Sequence, residues 1–139
     1  IWKSDYTVFI IMKNLAKITN NVVTEVLVFS DEDFAKGIDH CKNIIHDVSN
    51  DSIYIQSDSA NVDWLYDSNS GSIYPPQPNA SWTLDSNFEW QPPITKPIAG
   101  ENVVFISWKE TSYRWEALED PSRTPLFWNT ATSTWDVIS

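Results

Sequence analysis

Glycine is scarce in this chain, with three in 139 residues. Tight turns normally place glycine at left-handed backbone positions, so turns here must come from Asn, Asp, Ser and Pro. Cysteine is scarcer still. Cys41 alone permits no internal disulfide and leaves the redox compartment undiagnosed. It falls on the apolar face of a predicted helix and reads as a buried free thiol. Nine scattered basic residues stand against nineteen acidic ones, for a net charge of −10. They do not supply the clustered Lys and Arg of a nucleic-acid interface, and the charge disfavours docking on an anionic membrane. The acidity instead reads as keeping an aromatic-rich chain in solution. No apolar run is long enough for a spanning helix. The longest near the start, Val8-Phe9-Ile10-Ile11-Met12, is shorter than a signal-peptide core. The chain begins with Ile1, and Met12-Lys13-Asn14 reads as a natural start; upstream, Tyr6-Thr7-Val8-Phe9-Ile10-Ile11 has strand character.

Aromatic residues are abundant, and they recur in a pattern. All but one of the eight tryptophans lie at or after Trp64. Four segments begin and end on an aromatic with a polar, turn-prone stretch between. They are Tyr66 to Tyr74, Trp82 to Trp90, Trp108 to Trp115 and Trp128 to Trp135. Each reads as a tight β-hairpin whose terminal aromatics face each other across the strands, an arrangement worth about 0.2–1 kcal/mol per pair relative to Ala–Ala. Pro75, Pro76 and Pro78, then Pro92, Pro93 and Pro97, read as extended connectors outside central strands. Repeat starts are 16 to 26 residues apart, too irregular for a closed propeller or a strict solenoid. Residues 61–139 are therefore expected to form an open run of aromatic-paired hairpins with proline-rich connectors.

Residues 1–60 read differently. Leu15–Ile18 and Val22–Phe29 flank Thr19-Asn20-Asn21, a hairpin signal because paired asparagines tolerate left-handed geometry. The second of these segments has the incomplete alternation of a strand buried on most of both faces. Ser30-Asp31-Glu32-Asp33 suits a helix start, with a capping hydroxyl and acids at the positive end of the dipole. Phe34, Ile38, Cys41, Ile44 or Ile45 and Val48 follow at helical spacing, and Ser49-Asn50-Asp51 ends the run. Ser52–Gln56 is a third strand. The fold class is thus α+β, a small ββαβ unit followed by hairpins. Phe34, Ile38, Cys41 and Ile45 are expected to pack on Val26, Val28, Ile53 and Ile55, so that Ile38→Asp would cost several kcal/mol, roughly the penalty of burying a charge.

Chemical motifs are sparse. His40 and His46 lie six apart on different sides of a helix, while the pairs Asp39/His46 and His40/Asp47 share faces. A metal site needs three or four converging ligands, and these residues read instead as exposed helix polar groups. Asp67, Asp85 and Glu110 recur near the start of their hairpins; two carboxylates can hydrolyse a glycoside, but a turn residue bonding its own backbone is the simpler account. No catalytic triad order, phosphate loop or Cys-x-x-Cys occurs. No catalytic residue, metal ligand or cofactor is expected. Asn50-Asp51-Ser52 and Asn79-Ala80-Ser81 match the weak glycosylation pattern.

The block Tyr74-Pro75-Pro76-Gln77-Pro78-Asn79-Ala80-Ser81-Trp82-Thr83-Leu84-Asp85, followed by Trp90-Gln91-Pro92-Pro93, resembles a set of small proteins common in marine tailed phages, especially cyanophages. Those proteins carry a short strand–helix region, a Tyr-Pro-Pro-x-Pro-x-x-Ser-Trp-x-Leu core and a terminal Trp hairpin. Trp128-Asn129-Thr130-Ala131-Thr132-Ser133-Thr134-Trp135 matches that ending, and the resemblance runs from about Met12 to Ser139. The Trp108–Trp115 hairpin and the residues before Met12 are departures from it. The resemblance implies a virion or accessory protein and transfers no catalytic residue.

The expectation is a non-enzymatic virion structural protein, tail- or fibre-associated or decorating, assembled in multiple copies with other virion proteins. Trp82, Trp90, Trp108, Trp115, Trp128 and Trp135 are the candidate anchors, because large rigid aromatics dominate contact energy. The alternative is a carbohydrate-binding module in which exposed rings stack on host surface glycans.

Overall fold

The structure, a computed structural model, describes residues 12–48 and 51–139. The strand expected over Tyr6–Ile11 lies outside them. The fold is mixed but dominated by antiparallel strands, with two short helices among the described residues. It divides into two compact units that part between Pro76 and Gln77.

In the first unit, β1 (Met12–Thr19) and β2 (Val22–Ser30) form the expected hairpin. Asn20 and Asn21 close it at φ 52° and 62°, the two-residue geometry whose twist suits the strands. Helix α1 (Asp31–Ala35) and helix α2 (Ile38–Ile44) then lead to β3 (Ser52–Gln56), which pairs with β1. The single helix read from the sequence is therefore two, broken at Gly37, whose φ of 100° no helix accommodates. Strands β4 (Leu65–Asp67) and β5 (Ser72–Tyr74) complete a sheet ordered β3-β1-β2-β4-β5. Because Leu65 pairs with Val22, the Tyr66–Tyr74 hairpin belongs to this unit, and the boundary expected at residue 60 moves to Pro76.

Asp33 ties the helical segment together. Its amide donates to Ser30 Oγ at 3.1 Å, and its carboxylate accepts from the Ser30 hydroxyl at 3.0 Å. His40 Nε2 lies 3.0 Å from its other oxygen, and Cys41 Sγ approaches its carbonyl at 3.7 Å. The helices cover one sheet face, where Leu15, Phe29, Cys41 and Tyr54 are buried with Leu27, Phe34 and Ile45 against them. Cys41 is a buried free thiol, as expected, and burial pushes its pKa up. Ala16, Ile18, Val23 and Ala60 form a second core on the other face with Val26, Ile55, Trp64, Tyr66 and Ile73. The helices thus cover the sheet face opposite to the expected one. Val26 and Ile55 belong to the opposite core, and Ile38, Val28 and Ile53 are exposed. Side chains alternate along a strand, so an error of one residue reverses the whole set. Register shifts between Lys17 and Ile18, pairing Lys17 with Glu25 but Ile18 with Val23. The bulge this leaves at Thr24 returns Val23 to the same core as Val26.

The second unit holds β6 (Thr83–Leu84) and β7 (Trp90–Gln91) as one ribbon, and a four-stranded meander. The meander runs β8 (Val103–Lys109), β9 (Arg114–Glu119), β10 (Thr124–Asn129) and β11 (Thr134–Val137), each strand beside its neighbour in sequence. Its three loops contain four residues each, 110–113, 120–123 and 130–133, and β4 and β5 are joined by the same length, 68–71. The fourth loop residue is left-handed every time. It is Gly71 at φ 77° in the first unit, but Tyr113, Arg123 and Ser133 at 51°, 61° and 54° in the meander.

Core and turn each generate an expected outcome. Leu15→Ala should lose about 2–5 kcal/mol, as a buried leucine does, whereas Ile38→Asp should stay within about 0.5 kcal/mol of the parent, as surface changes do; denaturant titration of both variants checks the two-face assignment. Ser133→Gly should raise stability by up to about 1 kcal/mol, since a left-handed non-glycine residue costs about 1–2 kcal/mol and glycine's own entropy returns part of it. A lower melting temperature would contradict the assigned turn.

Candidate contact surface of the second unit

Loop length decides which aromatics meet. Across a four-residue loop the residues seven apart in sequence are directly opposite. Trp108 therefore pairs with Trp115, and Trp128 with Trp135. The rings meet edge to face, with centroids 5.5 and 5.4 Å apart and planes at 71° and 64°, the arrangement the ring quadrupole favours. The two earlier copies are spaced by eight and do not pair. Tyr74 faces Leu65, with Ile73 opposite Tyr66, and Trp90 faces Leu84 across a five-residue loop. Trp82 packs on Trp115 instead, at 6.2 Å.

The proline-rich block builds that contact. Gln77 Nε2 donates to the carbonyls of Ala80 and Trp82, at 3.1 and 2.9 Å, and staples the turn. Ser81 Oγ and Trp108 Nε1 both donate to Glu110 Oε2 at 2.8 Å. One carboxylate oxygen thus joins the proline-rich turn to the first tryptophan pair. The connector after β7 is held in the same way, by indole groups on its backbone. Trp115 Nε1 donates to Ile94 O at 2.7 Å, and Trp135 Nε1 reaches Ile98 O at 3.4 Å.

Strand alternation puts Trp108, Trp115, Trp128 and Trp135 on one face of the meander, along with the buried Ala117 and Leu126. Of the candidate anchors, Trp108 and Trp115 are only 9% and 5% exposed and serve the unit's own core. Trp82, Trp90, Trp128 and Trp135 are half-buried.

The opposite face of the meander is the one the aromatic repeat did not point to. Phe105, Ser107, Lys109, Glu116, Leu118 and Pro125 line a shallow depression of about 320 Å³ there. Phe105 is 68% exposed. It sits where register shifts between Val104 and Ser107, at a left-handed φ of 56°. A bulge re-aims a side chain, and left-handed backbone is a strained state for a bulky aromatic. The Arg123 guanidinium lies 5.2 Å from the Phe105 ring, and that of Arg114 lies 4.6 Å from Phe127. Arg114 also meets Glu116 at 3.0 Å. The sequence signal for this face was weak: Phe105 and Phe127 lie outside the repeat, and a bulge position has no composition of its own.

The residues weighed as metal ligands are not brought together. His40 turns to Asp33, while Asp47 meets Lys17 at 2.9 Å. No group of three or more His, Cys, Asp or Glu suited to a metal occurs among the described residues. The hairpin acids act locally. Asp67 accepts from the Ser70 amide at 2.8 Å, and Asp85 from the amides of Asn87 and Glu89 at 2.8 and 3.0 Å. Ser70 holds the Asp67 carboxyl below the usual range, and the Glu89 amide does the same for Asp85. The Trp108 indole, with Ser81, lowers Glu110; Asn129, with Thr134, lowers Asp136. No helix among the described residues is long and apolar enough to cross a membrane. No protein-family model, curated protein or solved structure matches this chain.

Two measurements follow from this geometry. Trp115→Phe should cost about 1–3 kcal/mol, the range for leaving a buried polar partner unpaired, and should loosen the connector, seen as faster amide exchange over residues 94–98. Glu110 has a folded pKa below its unfolded one, so its contribution is present above the ordinary glutamate value of about 4.3 and is lost as pH falls through the depressed value. The stability gap between the parent and Glu110→Gln should therefore be open at pH 7 and close on acidification. A gap independent of pH would contradict the charged bonds to Trp108 and Ser81.

Proposed function

We propose that this chain is a non-enzymatic structural protein of a phage virion, tail- or fibre-associated or decorating, which joins neighbouring subunits through the open face of the β8–β11 meander. The observation that carries the contact role is Phe105, a large apolar ring exposed by a bulge at a strained backbone position. Strain of that kind is retained where the aim of a side chain matters more than stability. Leu118, Pro125 and Phe127 extend the apolar area around it, and Arg114 and Arg123 supply the charged rim common in subunit contacts. Trp90, Trp128 and Trp135 keep exposed area as further anchors, whereas Trp108 and Trp115 support the sheet from behind. The virion setting rests on the resemblance of the Tyr74–Asp85 block and the terminal hairpin to marine phage proteins. A contact of about 1,200–2,000 Å² in total is expected for a stable pair of subunits.

The glycan reading asks for flat, exposed ring platforms. The two tryptophan pairs meet at 71° and 64° instead, which favours the assembly reading.

Phe105→Gly separates function from folding. It should leave the melting temperature unchanged or slightly raised, because the left-handed strain of about 1–2 kcal/mol is relieved while glycine's entropy offsets part of it. Incorporation into particles, read by mass spectrometry of purified virions, should fall sharply. Normal incorporation together with lost binding to host glycans would reject the assembly role in favour of glycan recognition.

A further inference from the structure

The sheet of the first unit ends in β3 and β5, and the meander ends in β8 and β11. Three of these edges are blunted. β5 has three residues and runs into Pro75 and Pro76. β8 is interrupted by the bulge at Phe105. β11 has four residues, among them the charged Asp136. Short length, proline, bulges and charge all keep an edge strand from pairing. β3 has none of these but its modest length. It reads Ser52-Ile53-Tyr54-Ile55-Gln56, without charge, glycine or proline, and keeps one unbroken register with β1.

The backbone decides which groups of β3 are open. Ser57 N–H donates to Asn14 O at 3.1 Å. Alternate residues of an antiparallel strand bond a given neighbour, so Ile53 and Ile55 bond β1 while Ser52, Tyr54 and Gln56 turn their N–H and C=O groups outward. Among the described residues, no strand and no backbone group bonds that outer side. On the faces of the sheet, Tyr54 belongs to the core under the helices, and Ile53, on the other face, is 46% exposed.

We propose that β3 pairs with β3 of a second copy of this chain, antiparallel and centred on Tyr54. The strand has the same pattern in both directions: a polar residue, Ile, Tyr, Ile, a polar residue. A reversed copy therefore sets Tyr54 opposite the partner's Tyr54, Ser52 opposite the partner's Gln56, and Ile53 opposite the partner's Ile55. The outward residues map onto one another, so each such pair exchanges both of its backbone hydrogen bonds. A slip of one residue would set outward groups against ones already bonded to β1, and a slip of two would leave one end unpaired. Charge allows the contact as well. Two copies at −10 repel, but β3 brings no charge, and Asp51, just before it, falls opposite the partner's Ser57. The partner's Ile55 covers part of the exposed Ile53. Because the contact is two-fold symmetric and uses the same edge in both copies, it closes at a dimer and does not propagate into a filament. The pairing goes beyond the assembly reading: it needs no other virion protein and leaves the Phe105 surface free.

The test uses the whole chain. Sedimentation equilibrium should give twice the chain mass of 16.0 kDa. Amide exchange should slow with rising protein concentration at Ser52, Tyr54 and Gln56, and not at Ile53 and Ile55. Gln56→Pro removes an outward N–H that β1 does not use, a change an edge strand tolerates. The melting temperature of the monomer should hold, while the dimer dissociation constant rises by about thirtyfold, the loss of two backbone bonds per dimer. Ile53→Lys, at an exposed position, should weaken the dimer too, and Phe105→Gly should not. A chain monomeric at every concentration would overturn the proposal. So would a dimer indifferent to Gln56→Pro, or masses that grow past the dimer with concentration. Protection of the Tyr54 amide at all concentrations would assign the edge to another segment of the same chain and reject the pairing. Normal incorporation of Phe105→Gly beside an intact dimer would reject the Phe105 contact and leave this pairing standing; a monomeric chain whose Phe105→Gly variant is excluded from particles would do the reverse.

Discussion

The meander of the second unit depends on the left-handed residue that ends each of its loops. A four-residue loop brings the strands back in register only if its last residue turns the backbone the other way. Tyr113, Arg123 and Ser133 do this without glycine's freedom. Once the register is set, residues seven apart face each other, and both tryptophan pairs fall on the same side of the sheet. The indole N–H groups of Trp115 and Trp135 then point at a connector that has no strand partner of its own. The proline-rich segment is held by side chains because prolines remove the backbone donors a sheet would use.

That arrangement gives the two faces of the meander different work. The tryptophan face is an interior assembled from far-apart segments, with Glu110 joining Ser81 and Trp108 at one oxygen. The opposite face carries the exposed Phe105 and the two arginines over phenyl rings. The charge of the chain fits this division. Several carboxylates, among them Asp67, Asp85, Glu110 and Asp136, are engaged in local hydrogen bonds that hold them ionised. Part of the acidity is therefore structural at its source, and several of the few cations are paired within the chain, Lys17 with Asp47, Lys36 with Glu32 and Arg114 with Glu116.

The first unit solves a different problem. Its central hairpin must cover two apolar faces with little material. Two short helices shield one, and the segment from Ala60 to Tyr74 shields the other. Asp33 compensates for the broken helix by binding Ser30 at the start and His40 beyond the break. The His40 contact, with Ser30, holds the Asp33 carboxyl below the ordinary range.

Much of this was legible in the sequence because it is governed by local physics. The Asn20-Asn21 turn, the Ser30 cap, the proline connectors and the hairpin at each of the four aromatic repeats are consequences of backbone preference over a few residues. The pairing of Trp108 with Trp115, and of Trp128 with Trp135, also follows from spacing alone. The tertiary structure decided what depends on parity and distance. A spacing of eight across a four-residue loop moves Tyr74 to the other side of its strand, and the five-residue loop of the next hairpin sets Trp90 opposite Leu84, two positions past Trp82. The bulge near Thr24 and the choice of helix face depend on which of two apolar sides meets which covering segment, and alternation is the same from either side. The partnership of Trp82 with Trp115, 33 residues on, and the exposure of Phe105 at a bulge needed the folded sheet. Neither involves neighbours in sequence, and only packing selects between burial and display for a ring of the same hydrophobicity.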